Sequence, residues 1–128
     1  MNVYEQIVAE IKTASNIIIT SHKSPDGDSV GSSLGLQYFI EKLGKTATVC
    51  HPDPAPGFLD WLDTSGFLIM TEQGEAVEAA FATADLVFCL DYNDTNRVGY
   101  DMQVLLEGLT CKTIMIDHHL DPEDFPTI

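Results

Sequence analysis

The sequence has few basic residues, no long apolar run and no charged leader, and each shortage excludes a class of protein. Six lysines and arginines stand against twenty acidic residues, which gives a net charge of −14. So acidic a chain repels a polyphosphate backbone, and sequence-independent binding to duplex DNA is not expected. The apolar runs are far shorter than the roughly 18 residues of a membrane span, and no secretory signal opens the chain. We therefore expect a cytoplasmic protein without a membrane partner.

Cysteine is also scarce, and its spacing excludes a disulfide framework or a structural zinc site. Cys50, Cys89 and Cys111 lie in or beside apolar runs typical of strands, and no Cys-x-x-Cys pair is present. We expect reduced core side chains at these positions. Hydrophobic residues make up 45% of the 128 residues, enough to build the core of one ordinary domain.

The spacing of apolar residues alternates between helical periods and short continuous runs. The helical periods predict helices at 3–14, 34–43, 76–82 and 100–109, with Gly44 capping the second. The short runs predict strands at 16–20, 46–50, 67–70, 86–90 and 113–116. A further short helix, 58–62, is expected to pack on the sheet through side chains that include Phe58 and Trp61. Such alternation predicts a three-layer α/β fold, a parallel sheet with helices on both faces.

Ionisable residues follow three of these strands, at the edge where parallel sheets bind ligands. The segments are Ser21-His22-Lys23-Ser24-Pro25-Asp26-Gly27-Asp28-Ser29, Asp91-Tyr92-Asn93-Asp94 and Asp117-His118-His119. Taken alone, the first could be a turn in which Asp28 or Ser29 caps the next helix, and Asp91 could begin a loop. Consecutive ionisable residues after a buried strand are costly unless they are paired or bind metal. Three such segments at one edge favour a shared site.

The residue types indicate which ions such a site would take. Carboxylates with one or two imidazoles suit manganese or magnesium, whereas zinc sites have more sulfur or histidine. Two ions ~3.5–4 Å apart can clamp a phosphate, lower the pKa of a bridging water and stabilise the leaving oxygen. Asp91 is suited to bridge two ions, because each of its carboxylate oxygens can reach one of them.

At these three strand ends the sequence resembles the DHH phosphoesterase superfamily, and within it the bacterial nanoRNase/pAp phosphatase branch. The resemblance is carried by His22-Lys23-Ser24-Pro25-Asp26-Gly27-Asp28-Ser29-Val30-Gly31-Ser32, Leu90-Asp91-Tyr92-Asn93 and Asp117-His118-His119. It implies a Rossmann-like DHH domain over residues 1–128. Members of this branch continue with a fourth motif, a metal-binding Asp, and a C-terminal DHHA1 domain. Neither is present here, so we expect a truncated domain, either a fragment of a longer protein or a shortened gene product.

The resemblance also implies the ligands of two Mn²⁺ ions, with Mg²⁺ as the alternative metal. His22, Asp26 and Asp91 would hold one ion. Asp28, Asp91 and His118 would hold the other, so that Asp91 bridges the pair.

Three further residues are candidates for functions other than metal binding. The resemblance implies that His119 contacts the phosphate and stabilises its developing charge, and that Asp117 orients a neighbouring histidine. Arg97 is a weaker candidate for a substrate or phosphate contact. A solvated loop arginine is an equal alternative at that position.

The implied activity is a manganese-dependent phosphoesterase that acts on 3′-phosphoadenosine 5′-phosphate or on very short oligoribonucleotides. Cyclic-dinucleotide phosphodiesterases and pyrophosphatases of the same superfamily share the three motifs and are the enzymatic alternatives. A single-strand exonuclease is least favoured, because the charge of −14 opposes a long anionic strand. The non-enzymatic alternative is an inactive fragment that binds metal or nucleotide weakly. The full-length form could be a homodimer.

Overall fold

Helices and strands alternate through the part of the chain that the computed structural model describes, residues 2–59, 61–92 and 95–117. The helices are α1 (Val3–Thr13), α2 (Gly27–Lys42), α3 (Met70–Ala82) and α4 (Tyr100–Glu107). The strands are β1 (Ile17–Ser21), β2 (Ala47–His51), β3 (Leu68–Ile69), β4 (Leu86–Leu90) and β5 (Lys112–Ile116). Short 3₁₀ turns cover Gly57–Leu59 and Thr95–Val98. Within these ranges, every helix is too short or too polar to span a membrane.

The strands form one parallel sheet in the order β3-β2-β1-β4-β5. The chain starts at the central strand β1, proceeds to one edge, and then crosses back to place β4 on the other side of β1. The direction of winding reverses between β1 and β4, which is the point where open parallel sheets form a ligand crevice. Ser21 pairs with Leu90 and Leu90 pairs with Ile116, so β1, β4 and β5 end level with each other.

Each face of the sheet is covered by two helices, which confirms the three-layer α/β prediction. On one face, α1 and α2 bury side chains such as Ile11 and Val30 against Ile17 and Ile19. On the other face, α3 and α4 pack against Ile18 and the neighbouring strands. Successive residues of β1 point to opposite faces, so a strand buried on both sides reads as a continuous apolar run.

Helix α2 begins at Gly27, seven residues before the start that the apolar pattern predicts. The N-cap is Asp26, not Asp28 or Ser29, and the Asp26 side chain and Ser29 form a capping box. The first turns of α2 are rich in glycine and serine, so they lack the apolar period that would reveal them. The predicted cap at the other end is confirmed: Gly44 has φ +82, and the N–H groups of Gly44 and Lys45 donate to the carbonyls of Glu41 and Ile40.

The segment after β2 departs from the prediction in its packing. Leu59 is buried in the core, but Phe58 and Trp61 are 74% and 78% exposed, so the expectation that they pack on the sheet is wrong. A single 3₁₀ turn at Gly57–Leu59 directs only some of the apolar side chains inward. Helix α3 also begins earlier than predicted, at Met70, with a kink at Gln73.

The three cysteines are free thiols, as predicted. Burial raises the pKa of Cys50 to about 12 and that of Cys89 to about 11, so both remain protonated core side chains.

Candidate functional site

His22 is the first residue after β1, and its imidazole is held in a defined orientation. Its Nδ1 lies 2.7 Å from the main-chain carbonyl of Lys23, and only 7% of the residue is exposed. Because a carbonyl only accepts, Nδ1 carries the proton of this hydrogen bond. Nε2 therefore faces the two neighbouring carboxylates, 3.1 Å from Asp91 Oδ2 and 3.7 Å from Asp26 Oδ2.

Asp26 caps α2 with one carboxylate oxygen and faces His22 with the other. Its Oδ1 accepts the N–H of Ser29 at 2.9 Å, and its own N–H donates to Ser29 Oγ at 2.9 Å. The Ser29 N–H is the chief cause that holds the pKa of Asp26 below its ordinary value; His22 contributes, and partial burial opposes it. The helix cap and the approach to His22 thus use different atoms of one side chain, so neither arrangement excludes the other.

Asp91 follows β4 in a backbone conformation that few L-residues adopt. Its φ is +64, and its N–H donates to the carbonyl of Ile116 at 2.9 Å. Aspartate tolerates the left-handed region better than most residues, although such a conformation still costs on the order of 1–3 kcal/mol. Hydrogen bonds on either side secure the turn: the Tyr92 hydroxyl lies 2.6 Å from Thr20 Oγ1, and Ser21 Oγ donates to the Leu90 carbonyl at 2.8 Å.

The loop after β1 and the loop after β4 thereby bring His22, Asp26 and Asp91 together. Each offers one potential ligand atom, and the three atoms lie within 4.8 Å of one another. One imidazole nitrogen and two carboxylate oxygens form a donor set suited to Mn²⁺ or Mg²⁺. The side chain of Asp91 is only 11% exposed, whereas that of Asp26 is 57% exposed, so a bound ion would lie at the rim of the sheet.

A cavity of about 400 Å³ adjoins this cluster at Asp91. Its described lining consists of Asp28, Ser32, Leu90, Asp91, Ile116 and Asp117. Asp28 comes from the first turn of α2, and Asp117 follows the end of β5. Asp91 belongs both to this lining and to the cluster with His22, so the cavity and the cluster share a wall. Three carboxylates and no basic side chain in the described lining make this a negative cavity that attracts cations.

Of the remaining residues predicted for the site, the structure describes only Arg97. Arg97 is half-buried in the turn after β4, and its main-chain carbonyl accepts the N–H of Lys23 at 2.6 Å. This bond ties the loops after β1 and β4 together, but Arg97 is not in the described lining of the cavity. His118 and His119 lie outside the described residues.

His51 is a buried polar residue that the sequence reasoning did not select. It ends β2, it is 0% exposed, and its Nε2 lies 2.9 Å from Ser33 Oγ. Burial is the main cause that lowers its pKa to about 4, and His22 adds to the effect, so His51 is neutral at pH 7. One signal in the sequence could have pointed to His51: it directly follows an apolar run that is predicted to be a parallel strand.

Comparison with known proteins places this architecture in a family. The model of the DHH family, N-terminal domain, matches residues 16–128. The bifunctional oligoribonuclease and PAP phosphatase NrnA of Thermus thermophilus is 39% identical over 116 residues, which cover 89% of this chain and 32% of that protein. The probable NrnA of Streptococcus mutans is 31% identical over 125 residues, which cover 98% of this chain and 36% of that protein. The chain thus spans about a third of the length of these relatives.

The fold has a solved counterpart in an exopolyphosphatase-related protein from Bacteroides fragilis. The two structures agree with a TM-score of 0.92 at 37% sequence identity. The match covers 97% of this chain and 36% of the other. The similarity therefore extends over nearly the whole chain.

Proposed function

This chain belongs to the DHH family, whose N-terminal domain it represents, and on that basis we propose that it is the metal-binding domain of a phosphoesterase acting on small nucleotides. The proposed substrates are 3′-phosphoadenosine 5′-phosphate (PAP) and very short oligoribonucleotides, in keeping with the names of the NrnA relatives. The convergence of His22, Asp26 and Asp91 beside a cavity lined by further carboxylates is the observation that carries the proposal.

The proposed cofactor is a pair of Mn²⁺ ions, with Mg²⁺ as the alternative. His22, Asp26 and Asp91 would hold the first ion. Asp28 and Asp91, which line the same cavity, would hold the second together with His118. When bound, such ions lower the pKa of a water molecule and neutralise the charge of a phosphate.

The protein side chains would fix where the substrate phosphate lies. The capping box holds Asp26, and the backbone conformation at φ +64 directs Asp91, so hydrogen bonds and backbone geometry of the protein itself orient both carboxylates. We propose that His119 contacts the phosphate and that Asp117, on the cavity wall, orients a neighbouring histidine. Arg97 is retained as a weaker phosphate contact.

The negative charge of the cavity implies that the metal ions bind before the nucleotide. Three carboxylates line the described part of its wall, and an anionic nucleotide would be repelled by them. Substrate binding should therefore require the metal ions, and nucleotide affinity without metal should be much weaker than with metal.

Metal binding is tested first, by calorimetric titration of MnCl₂ and by thermal unfolding with and without Mn²⁺. Free metal at 100 times its dissociation constant stabilises the folded state by about 2.7 kcal/mol. Asp91→Asn should abolish most of this gain. Glu78→Gln, which removes one charge from the exposed face of α3, should retain it. An equal gain in both variants, or none at millimolar Mn²⁺, would count against the site.

Catalysis is tested by Mn²⁺-dependent release of phosphate from PAP and of mononucleotide from a dinucleotide such as pApA. Pyrophosphate and a cyclic dinucleotide extend the panel to the alternative activities of the superfamily. The double variant Asp28→Ala, His118→Ala should be inactive, and full activity in it would refute the proposed mechanism. Weak binding of a single ion without turnover would favour a non-enzymatic binding domain.

A further inference from the structure

His51 has no place among the proposed metal ligands, yet it is buried with one nitrogen unsatisfied. Its Nε2 faces Ser33 Oγ at 2.9 Å, while Nδ1 has no hydrogen-bond partner among the described residues. Leaving a polar atom unpaired in the interior costs stability. An apolar side chain of similar shape would avoid that cost, but it would leave Ser33 without this partner.

The hydrogen bonds around Ser33 determine which nitrogen of His51 carries the proton. Ser33 Oγ lies 2.7 Å from the main-chain carbonyl of Ser29, which can only accept. The single hydroxyl proton of Ser33 therefore goes to Ser29, and Ser33 Oγ accepts a hydrogen bond from His51 Nε2–H. Nδ1 is then the bare nitrogen of a neutral imidazole.

The same hydrogen bonds continue from Ser33 to the candidate metal site. Ser29 is the partner of Asp26 in the capping box, through one N–H in each direction at 2.9 Å. His51, Ser33 and Ser29 are all 0% exposed, so water does not compete with these bonds. A continuous path thus runs from the end of β2 through the first two turns of α2 to Asp26.

Asp26 is the candidate ligand that this path reaches directly. Its side chain is 57% exposed, and its Oδ1 is directed by the Ser29 N–H. If the first turn of α2 shifts, Oδ2 moves relative to His22 Nε2, from which it is now 3.7 Å away. Asp28, in the same turn, would move as well.

We propose that His51 is a positioning residue: through Ser33 it fixes the first turns of α2, and thereby aims Asp26 and Asp28 at the cation. The proposal rests on the proposed function, because the side chains it positions are proposed ligands. His51 itself contacts neither metal nor substrate in this arrangement.

The first test uses the metal-free protein. Imidazole ¹⁵N chemical shifts should show His51 as the neutral Nε2–H tautomer. Amide hydrogen exchange at Ser29 and Val30, whose N–H groups donate to Asp26, should accelerate in His51→Phe. His51→Gln, which can present an N–H near the position of Nε2, should recover part of the protection. A proton on Nδ1, or unchanged exchange in His51→Phe, would overturn the proposal.

The second test measures Mn²⁺ affinity. His51→Phe and Ser33→Ala should each weaken it by about tenfold, the lower end of the range for groups that support a metal ligand. The double variant should lose little more than either single variant, because both remove the same link. Ser33→Ala decides the question if His51→Phe fails to fold.

Ile40→Val is the matched control for a loss of stability. Ile40 is 0% exposed near the other end of α2, and shortening it weakens packing without touching the path to Asp26. It should leave Mn²⁺ affinity unchanged. Equal affinities in Ser33→Ala and Ile40→Val would overturn the positioning role. If the wild-type protein binds no Mn²⁺, the proposed function fails, and amide exchange at Ser29 still decides whether His51 fixes the turn.

Discussion

Lowering the pH from 7 to 5 should destabilise the metal-free domain through His51. Burial lowers the pKa of His51 in the folded state to about 4, against an ordinary value of 6.5. Over this range the unfolded chain binds a proton that the folded chain does not, so the contribution is complete above pH 6.5 and is lost as the pH falls towards 4. The difference between these two pKa values corresponds to about 3 kcal/mol of the free energy of unfolding, of which about 2 kcal/mol is lost by pH 5.

Urea unfolding followed by circular dichroism at pH 7, 6 and 5, with chelator present, measures this loss. The comparison is between wild type and His51→Phe, because all other titrating groups are common to both. Between pH 7 and 5 the free energy of unfolding of the wild type should fall by about 2 kcal/mol more than that of the variant. Parallel curves for the two proteins would refute the reasoning, since they would mean that His51 is protonated equally in the folded and unfolded states.

Two hydrogen-bond predictions use the same unfolding assay at pH 7. Asp85→Ala should cost about 1 kcal/mol, as the loss of a helix cap does, because the carboxylate accepts the N–H groups of Ser15 and Asn16 at 2.7 and 2.9 Å. Asp85→Asn, which keeps one acceptor, should cost less, and equal losses would contradict this account. Tyr92→Phe should also cost about 1 kcal/mol, because it deletes the buried hydroxyl 2.6 Å from Thr20. An unchanged free energy of unfolding would show that this bond contributes nothing.

Much of the fold is predictable because the strands can be recognised from their apolar runs. Leu86–Leu90 is apolar throughout, because a strand covered on both faces by helices needs apolar side chains on both faces. The start of α2 carries a weaker signal, since its first turn depends on a side-chain cap at Asp26 and not on apolar spacing. The exposure of Phe58 and Trp61 is not predictable from residue type, because folded proteins leave much apolar surface in water.

The sequence predicts which edge of the sheet carries the candidate site, but it does not predict how closely the side chains of the site approach each other. Residues that follow parallel strands emerge at the same edge, so the sequence predicts that His22 and Asp91 share it. Their approach to 3.1 Å further requires that β1 and β4 be neighbours with Ser21 opposite Leu90. Strand order is decided by how helices and sheet pack over long range, and local sequence does not encode it. His51 follows a predicted strand as His22 and Asp91 do, but its contact with Ser33 is not predictable in the same way, since Ser33 lies on a different element.

The backbone at Asp91 determines which substitution tests the site cleanly. A residue at φ +64 must tolerate the left-handed region, and asparagine does so about as well as aspartate, whereas alanine does not. Asp91→Asn therefore removes the charge and leaves the turn, with its N–H still able to donate to the Ile116 carbonyl. Asp91→Ala would add backbone strain to the loss of the ligand, and its effect on metal binding would mix the two causes. Of these two variants, the asparagine variant isolates the carboxylate on which the proposed metal site depends.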